Sequence, residues 1–164
     1  MMMQKTDYPA LSASLMALCE GVPYALSNLA NAAALLWERM DGINWAGFYL
    51  RRGDRLILGP FQGKIACTAI AMGRGVCGCA AEARRTVVVP DVHEFPGHIA
   101  CDAASRSEIV IPLCMEDEVI GVLDIDSPHL ARFCEEDRAG LEDFLRILLS
   151  FLEKDSDFMA EGKL

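Results

Sequence analysis

Residues 108–127, from Glu108 to Ser127, read EIVIPLCMEDEVIGVLDIDS, and the alternation in this stretch decides the fold. Glu108–Met115 and Val119–Ile125 flank the acidic turn Glu116-Asp117-Glu118, which is the pattern of an antiparallel hairpin. A second hairpin lies upstream, where Asn44–Leu50 and Arg55–Leu58 join across Arg51-Arg52-Gly53-Asp54. Thr86–Val89 is a further compact, β-branched strand. Hairpins, in place of alternating strand–helix units, predict a mostly antiparallel sheet.

Helices bracket these strands. Pro9–Glu20 reads as a short helix, closed by Gly21-Val22-Pro23, and a second helix begins at Pro23. Leu26, Leu29, Ala33, Leu36, Trp37 and Met40 recur at steps of three and four, the stripe of a core-facing helix that ends near Asp41-Gly42. The Gly- and Cys-rich middle, Gly59–Ala83, contains a short helix after Val76, and the long loop Pro90–Arg106 carries two of the three histidines. Phe133, Leu141, Phe144, Leu145, Leu148 and Leu152 mark a last helix. The predicted fold is α+β: one domain over residues 1–164, frayed over about 1–8 and 155–164, with the N- and C-terminal helices on one face of the sheet.

Composition narrows the function. With 164 residues, 52% of them hydrophobic, the chain has ample material for one core. A net charge of −9 repels phosphate backbones, so nucleic acid is not an expected partner, and a small or cationic one fits better. No run reaches the roughly 18 apolar residues of a membrane span; Asn31 interrupts even Leu29–Trp37. Leu15-Met16-Ala17-Leu18-Cys19 is a poor lipoprotein signal, because only Lys5 precedes it as a cation and bulky Leu18 stands where a small residue is needed. Seven cysteines, an odd number, point to the cytoplasm, where thiol reactivity or metal binding becomes the question.

Two motifs carry less than their letters suggest. Gly73-Arg74-Gly75-Val76-Cys77-Gly78, with Asp91 downstream, spells a dinucleotide fingerprint, but the helix after it is too short and no further strand–helix–strand units follow. A turn that needs small residues is the better reading. Cys77, Cys79, His93, His98 and Cys101 offer zinc-ligand types, yet Cys77-Gly78-Cys79 has poor spacing, and His93 and His98 are read as satisfying backbone groups in their loop.

Strand period two is more informative. Trp45, Gly47 and Tyr49 share a face, leaving a slot between rings suited to a methyl, a sulfur or a cation. Ile120, Val122, Asp124 and Asp126 share another, which sets two carboxylates roughly 7 Å apart. Glu108 opens the neighbouring strand and can reach the same place. Three acids together raise at least one pKa and attract an ammonium group.

Several segments bear a family resemblance: Asn44-Trp45-Ala46-Gly47-Phe48-Tyr49, Leu58-Gly59-Pro60-Phe61-Gln62-Gly63-Lys64, Gly75-Val76-Cys77-Gly78, Val89-Pro90-Asp91-Val92-His93, Phe95-Pro96-Gly97-His98-Ile99-Ala100-Cys101-Asp102, Ser107-Glu108-Ile109-Val110 and Gly121-Val122-Leu123-Asp124-Ile125-Asp126-Ser127. Together, from about Pro23 to the final helix, they resemble the free methionine-(R)-sulfoxide reductases, which are stand-alone GAF domains. The resemblance implies that Cys101 is the nucleophile, Cys67 the main resolving thiol and Cys77 the partner in an alternative disulfide. It implies active-site roles for Glu108, Asp124 and Asp126 in proton donation and ammonium recognition, and pocket roles for Trp45 and Tyr49. It further implies free methionine-(R)-sulfoxide as substrate, no bound cofactor or metal, thioredoxin with NADPH behind it as the external reductant, and a homodimer. Cys79 lies outside that pattern, as do Cys19, Cys114 and Cys134, which are read as packing cysteines. The alternative is a GAF sensor that holds an amino acid or nucleotide in the same pocket and breaks no bond; a sensor normally feeds an output module, for which 164 residues leave no room.

Overall fold

The computed structural model describes residues 3–99 and 101–161. In chain order the elements are α1 (Tyr8–Cys19), α2 (Ala25–Arg39), β1 (Trp45–Arg52), β2 (Arg55–Gly63), β3 (Ala69–Ala71), α3 (Gly75–Ala83), β4 (Val87–Val89), β5 (Ser107–Met115), β6 (Glu118–Ser127), α4 (Glu135–Leu152) and α5 (Ser156–Glu161). Both hairpins form, and among the described residues every strand pairing is antiparallel, in the order β3-β2-β1-β6-β5-β4. Sequence-adjacent strands thus pair, apart from β3 and β4 at the two edges, and β6 joins the two halves by also pairing with β1 at the centre.

Alternation along the central strands sorts side chains into two layers. Ala46, Phe48, Ile109, Ile111, Leu123 and Ile125 face α1, α2 and α4, where they meet Leu29, Leu36, Phe144 and Leu148 in an apolar core. Trp45, Tyr49, Val110 and Val122 point the other way, toward Val76, Cys77 and Ala80 of α3. The first layer anchors the chain ends. Tyr8, whose ring lies where a Cβ on Gly140 would stand, donates from its hydroxyl to Asp137 Oδ1 at 2.6 Å, and Arg132 pairs with Asp137 Oδ2 at 3.2 Å.

Several expectations are corrected. The helical stripe of α2 is shifted: Leu29, Ala33 and Leu36 are buried, but Leu26 is 66% and Trp37 41% exposed, their places being taken by Ala25, Ala32 and Leu35. Small alanines complete the buried face without showing in a count of large residues. Ile120 does not share a face with Val122, because Leu113 pairs with Gly121 and Cys114 with Val119, leaving Ile120 as a bulge turned toward the helices. Phe133 is buried but precedes α4, and Cys134 is exposed as the cap of that helix, not packed. Thr6 and Tyr8 are buried, and Asp155 accepts from the backbone of Phe158 to start α5. Residues 1, 2 and 162–164 lie outside the described residues.

Candidate active site

Sheet register builds the acidic side of the site. Glu108 on β5 stands opposite Asp126 on β6, while Trp45 and Gly47 on β1 stand opposite Asp126 and Asp124. Glu108 and Asp124 are only 5% and 7% exposed, and Asp126 is half-buried. All three carboxyl groups are pushed well above the usual carboxylate range. Burial is the main cause for each, followed by repulsion from Asp126 on Glu108, from Glu108 on Asp124, and from Asp124 on Asp126. Such a set titrates as a unit and holds its protons more tightly than free carboxyl groups do. Asp124 Oδ1 is buried without a hydrogen-bond partner in the cavity wall.

Two cysteines close the other side. Cys67, in the loop between β2 and β3, and Cys101, in the loop before β5, form a disulfide with Cα atoms 6.1 Å apart. Their segments are tied further: Lys64 Nζ lies 3.5 Å from Asp102 Oδ2, Tyr49 donates to the Cys67 carbonyl at 2.9 Å, and Trp45 Nε1 donates to the Lys64 carbonyl at 3.0 Å. Cys77 is a third thiol, free and buried in the first turn of α3. Its thiol is pushed well up, first by burial and then by Asp124 and Glu108. Trp45, Tyr49, Cys77, Cys101 and the three acids line one cavity.

The expected slot between Trp45 and Tyr49 is absent. Their rings stack at 5.9 Å, Phe61 stacks on Trp45 at 5.2 Å, and a Cβ on Gly47 would strike Phe61. Glycine here admits a ring from β2, so the aromatics form a solid wall of the cavity.

Residues 26–153 match the GAF domain family. The free methionine-R-sulfoxide reductase of Escherichia coli is 54% identical over 153 residues, which cover 93% of this chain and 90% of that protein. The reduced form of the fRMsr of Staphylococcus aureus superposes with a TM-score of 0.90 at 48% identity, covering 93% of this chain and 99% of that one. The free methionine-R-sulfoxide reductase of Neisseria meningitidis in complex with its substrate gives 0.89 at 43%, covering 96% and 97%. The chain belongs to the free methionine-R-sulfoxide reductase family.

Within this family member, the loop before β5 supplies groups that residue-by-residue reading passed over. Among the described residues the His98 ring meets no backbone group: it lines the cavity with Nε2 3.6 Å from Glu108 Oε2, and burial lowers its pKa. His93 is exposed and meets the side chain of Asp91 at 3.0 Å. Asn44 donates to Asp102 at 3.3 Å and to Ser105 at 3.1 Å, which pins the Cys101 segment to the start of β1. The signals for these were Asp102 beside a cysteine and Asn44 opening a strand. The five zinc candidates do not gather as one set: Cys101 is in the disulfide, Cys79 turns to the Gly73 carbonyl at 3.5 Å and His93 is exposed, while Cys77 and His98 line the cavity. The glycine motif is a turn into α3, with φ of +74° at Gly73 and +59° at Gly75, and Asp91 caps the 3₁₀ turn Val92–Glu94. Ala100, within the resembling segment, lies outside the described residues.

Proposed function

We propose that the chain, acting as a single GAF domain, reduces free L-methionine-(R)-sulfoxide to methionine with Cys101 as nucleophile and Cys67 as resolving thiol. One observation carries this reading: the Cys67–Cys101 disulfide borders the cavity into which Glu108, Asp124 and Asp126 project. In the reduced state the Cys101 thiolate attacks the sulfoxide sulfur while its oxygen takes a proton. The S–O oxygen passes to Cys101, methionine leaves, and a sulfenic acid remains. The Cys67 thiol then attacks that sulfur, water departs, and the disulfide forms. One sulfoxide and two thiols thus become one thioether, one disulfide and one water.

Environment divides the acids. Asp124 is the proton donor, because it is buried, carries a raised pKa and has an unpartnered oxygen in the cavity wall. Asp126, half-buried and directly opposite Glu108, receives the substrate ammonium with it. The first N–H groups of α3, which have no partner within the helix, suit the substrate carboxylate, since Gly75 and Val76 line the same cavity. Trp45 and Tyr49 hold the methyl end. A free amino acid supplies both charges, and a methionine within a protein does not. Cys77 serves as an alternative partner in recycling.

The disulfide is returned to thiols by exchange with thioredoxin, drawing on NADPH, in a cytoplasmic setting, with no cofactor bound to the chain. Tyr24, Leu26 and Trp37, exposed around α2, support pairing of two copies. A passive GAF sensor gives no task to two cysteines placed at its pocket.

The test is consumption of the R and S epimers of free methionine sulfoxide, with thioredoxin, its reductase and NADPH oxidation as readout. Turnover of the R epimer alone, absent in Cys101→Ser, is expected. Equal turnover in that variant, or none by the folded, reduced protein, overturns the reading.

A further inference from the structure

We propose that Cys77, Glu108 and Asp124 form a binding site for one thiophilic divalent cation of the zinc or cadmium class. The Cys77 Sγ and one oxygen from each carboxylate lie within 4.8 Å of one another, and all three residues are buried. The donors of one tetrahedral zinc ion stand about 3.6 Å apart, given Zn–S near 2.3 Å and Zn–O near 2.1 Å. Small side-chain rotations therefore close the set. Asp124 Oδ1 is buried and accepts no hydrogen bond among the described residues. His98 Nε2, 3.6 Å from Glu108 Oε2, stands ready as a fourth donor.

The donor types select the ion. One sulfur, two carboxylate oxygens and an imidazole suit zinc or cadmium, whereas magnesium and calcium take oxygen alone. The ligands sit on rigid elements, with Cys77 in the first turn of α3 and the acids on the paired strands β5 and β6, so little ordering opposes binding. The ion is electrostatically favoured where buried acids repel one another, and the protons it displaces leave to solvent. Cys77 is free while Cys67 and Cys101 are joined, so the site exists in the disulfide form and does not depend on catalysis. It shares Glu108 and Asp124 with the proposed reaction but rests on their geometry alone.

The experiment titrates Cd²⁺ into the full-length disulfide form, reading the ultraviolet thiolate-to-cadmium charge-transfer band together with heat. The expected result is one tight equivalent that Cys77→Ser removes, that Asp124→Asn and Glu108→Gln each weaken tenfold or more, and that Cys134→Ser, at an exposed thiol, leaves in place. Circular dichroism checks that each variant is folded, and the two carboxamide variants decide the matter should Cys77→Ser not fold. Binding with the same stoichiometry and affinity in Cys77→Ser, or unchanged affinity in both carboxamide variants, means capture by surface thiols only and overturns the site. Failure here leaves sulfoxide turnover by the reduced protein untouched, and failure of that turnover leaves this titration untouched, so the two readings fall separately.

Discussion

Leu123 and Asp124 are adjacent on β6 and both are buried, yet they enter opposite layers. Leu123 joins an apolar core among α1, α2 and α4, where every neighbour gains from its presence. Asp124 enters the α3 layer beside two other acids and a thiol, where burial and like charge oppose its ionisation. One face of the sheet holds the molecule together, and the other carries buried acids and a thiol whose unfavourable placement is, on the proposed function, the source of their reactivity. The sharpest way to break this contrast is Cys101→Ser in the reduced protein. Turnover should fall by more than about 10³-fold, as expected for loss of a nucleophile, while the thermal midpoint stays near that of the reduced wild type. A large loss of stability with residual turnover would show that the two faces are not separable.

Asp124→Asn sharpens the contrast next. Turnover is expected to drop about 10²- to 10⁴-fold, the usual weight of a general acid. Its stability should move the other way, and with pH. Asp124 has a raised pKa in the folded state, so above about pH 4, the ordinary Asp value, the unfolded chain has lost a proton that the folded chain still binds. Stability from this group is therefore fully present below about pH 4 and is lost as pH rises toward the folded pKa. Asparagine removes that dependence. Relative to wild type the variant should gain up to about 1.4 kcal/mol per pH unit within the window. Urea unfolding of both proteins between about pH 5 and about pH 8 measures it. Parallel curves would mean that Asp124 is ionised in the folded state.

The opposite face gives the opposite signature. Leu123→Ala should cost about 2–5 kcal/mol by leaving a cavity in a fully buried core. KM for the sulfoxide and the turnover per folded molecule should hold, as read by kinetics below the lowered melting temperature. A changed KM with intact stability would place Leu123 in the site's support.

Much of this division was legible in the sequence, because strand period two is rigid. Asp124 and Asp126 had to share a face whatever the rest of the chain did, and Glu108, read as opening the paired strand, is its second residue after Ser107. The bulge at Ile120 was not legible, since alternation says nothing of an inserted residue until the register of Leu113 and Cys114 is known. The stripe on α2 failed at Leu26 and Trp37 because helix period alone does not distinguish the edge of a buried face from its flank, and alanines filled the true face. His98 was hidden for a different reason: the loop from Pro90 to Arg106 has no period, and only the folded chain brings its ring to Glu108. The disulfide partners, 34 residues apart, came from family resemblance and from no rule of spacing.

The smallest expected effect lies where the reactive face meets solvent. Ile65 is 91% exposed, two residues before Cys67 and on the cavity rim, and Ile99 is exposed two residues before Cys101. An isoleucine left in water at that position has no part in either core, and on the proposed function it stands where a protein reductant must approach the disulfide. Ile65→Asp should then raise KM for thioredoxin about five- to tenfold, near 1–1.4 kcal/mol, without altering the stability of the fold. Dithiothreitol needs no docking surface, so turnover driven by it should be unchanged. Equal impairment with both reductants would mean that Ile65 shapes the cavity instead, and the site would then reach further into the β2–β3 loop than its buried acids and thiols indicate.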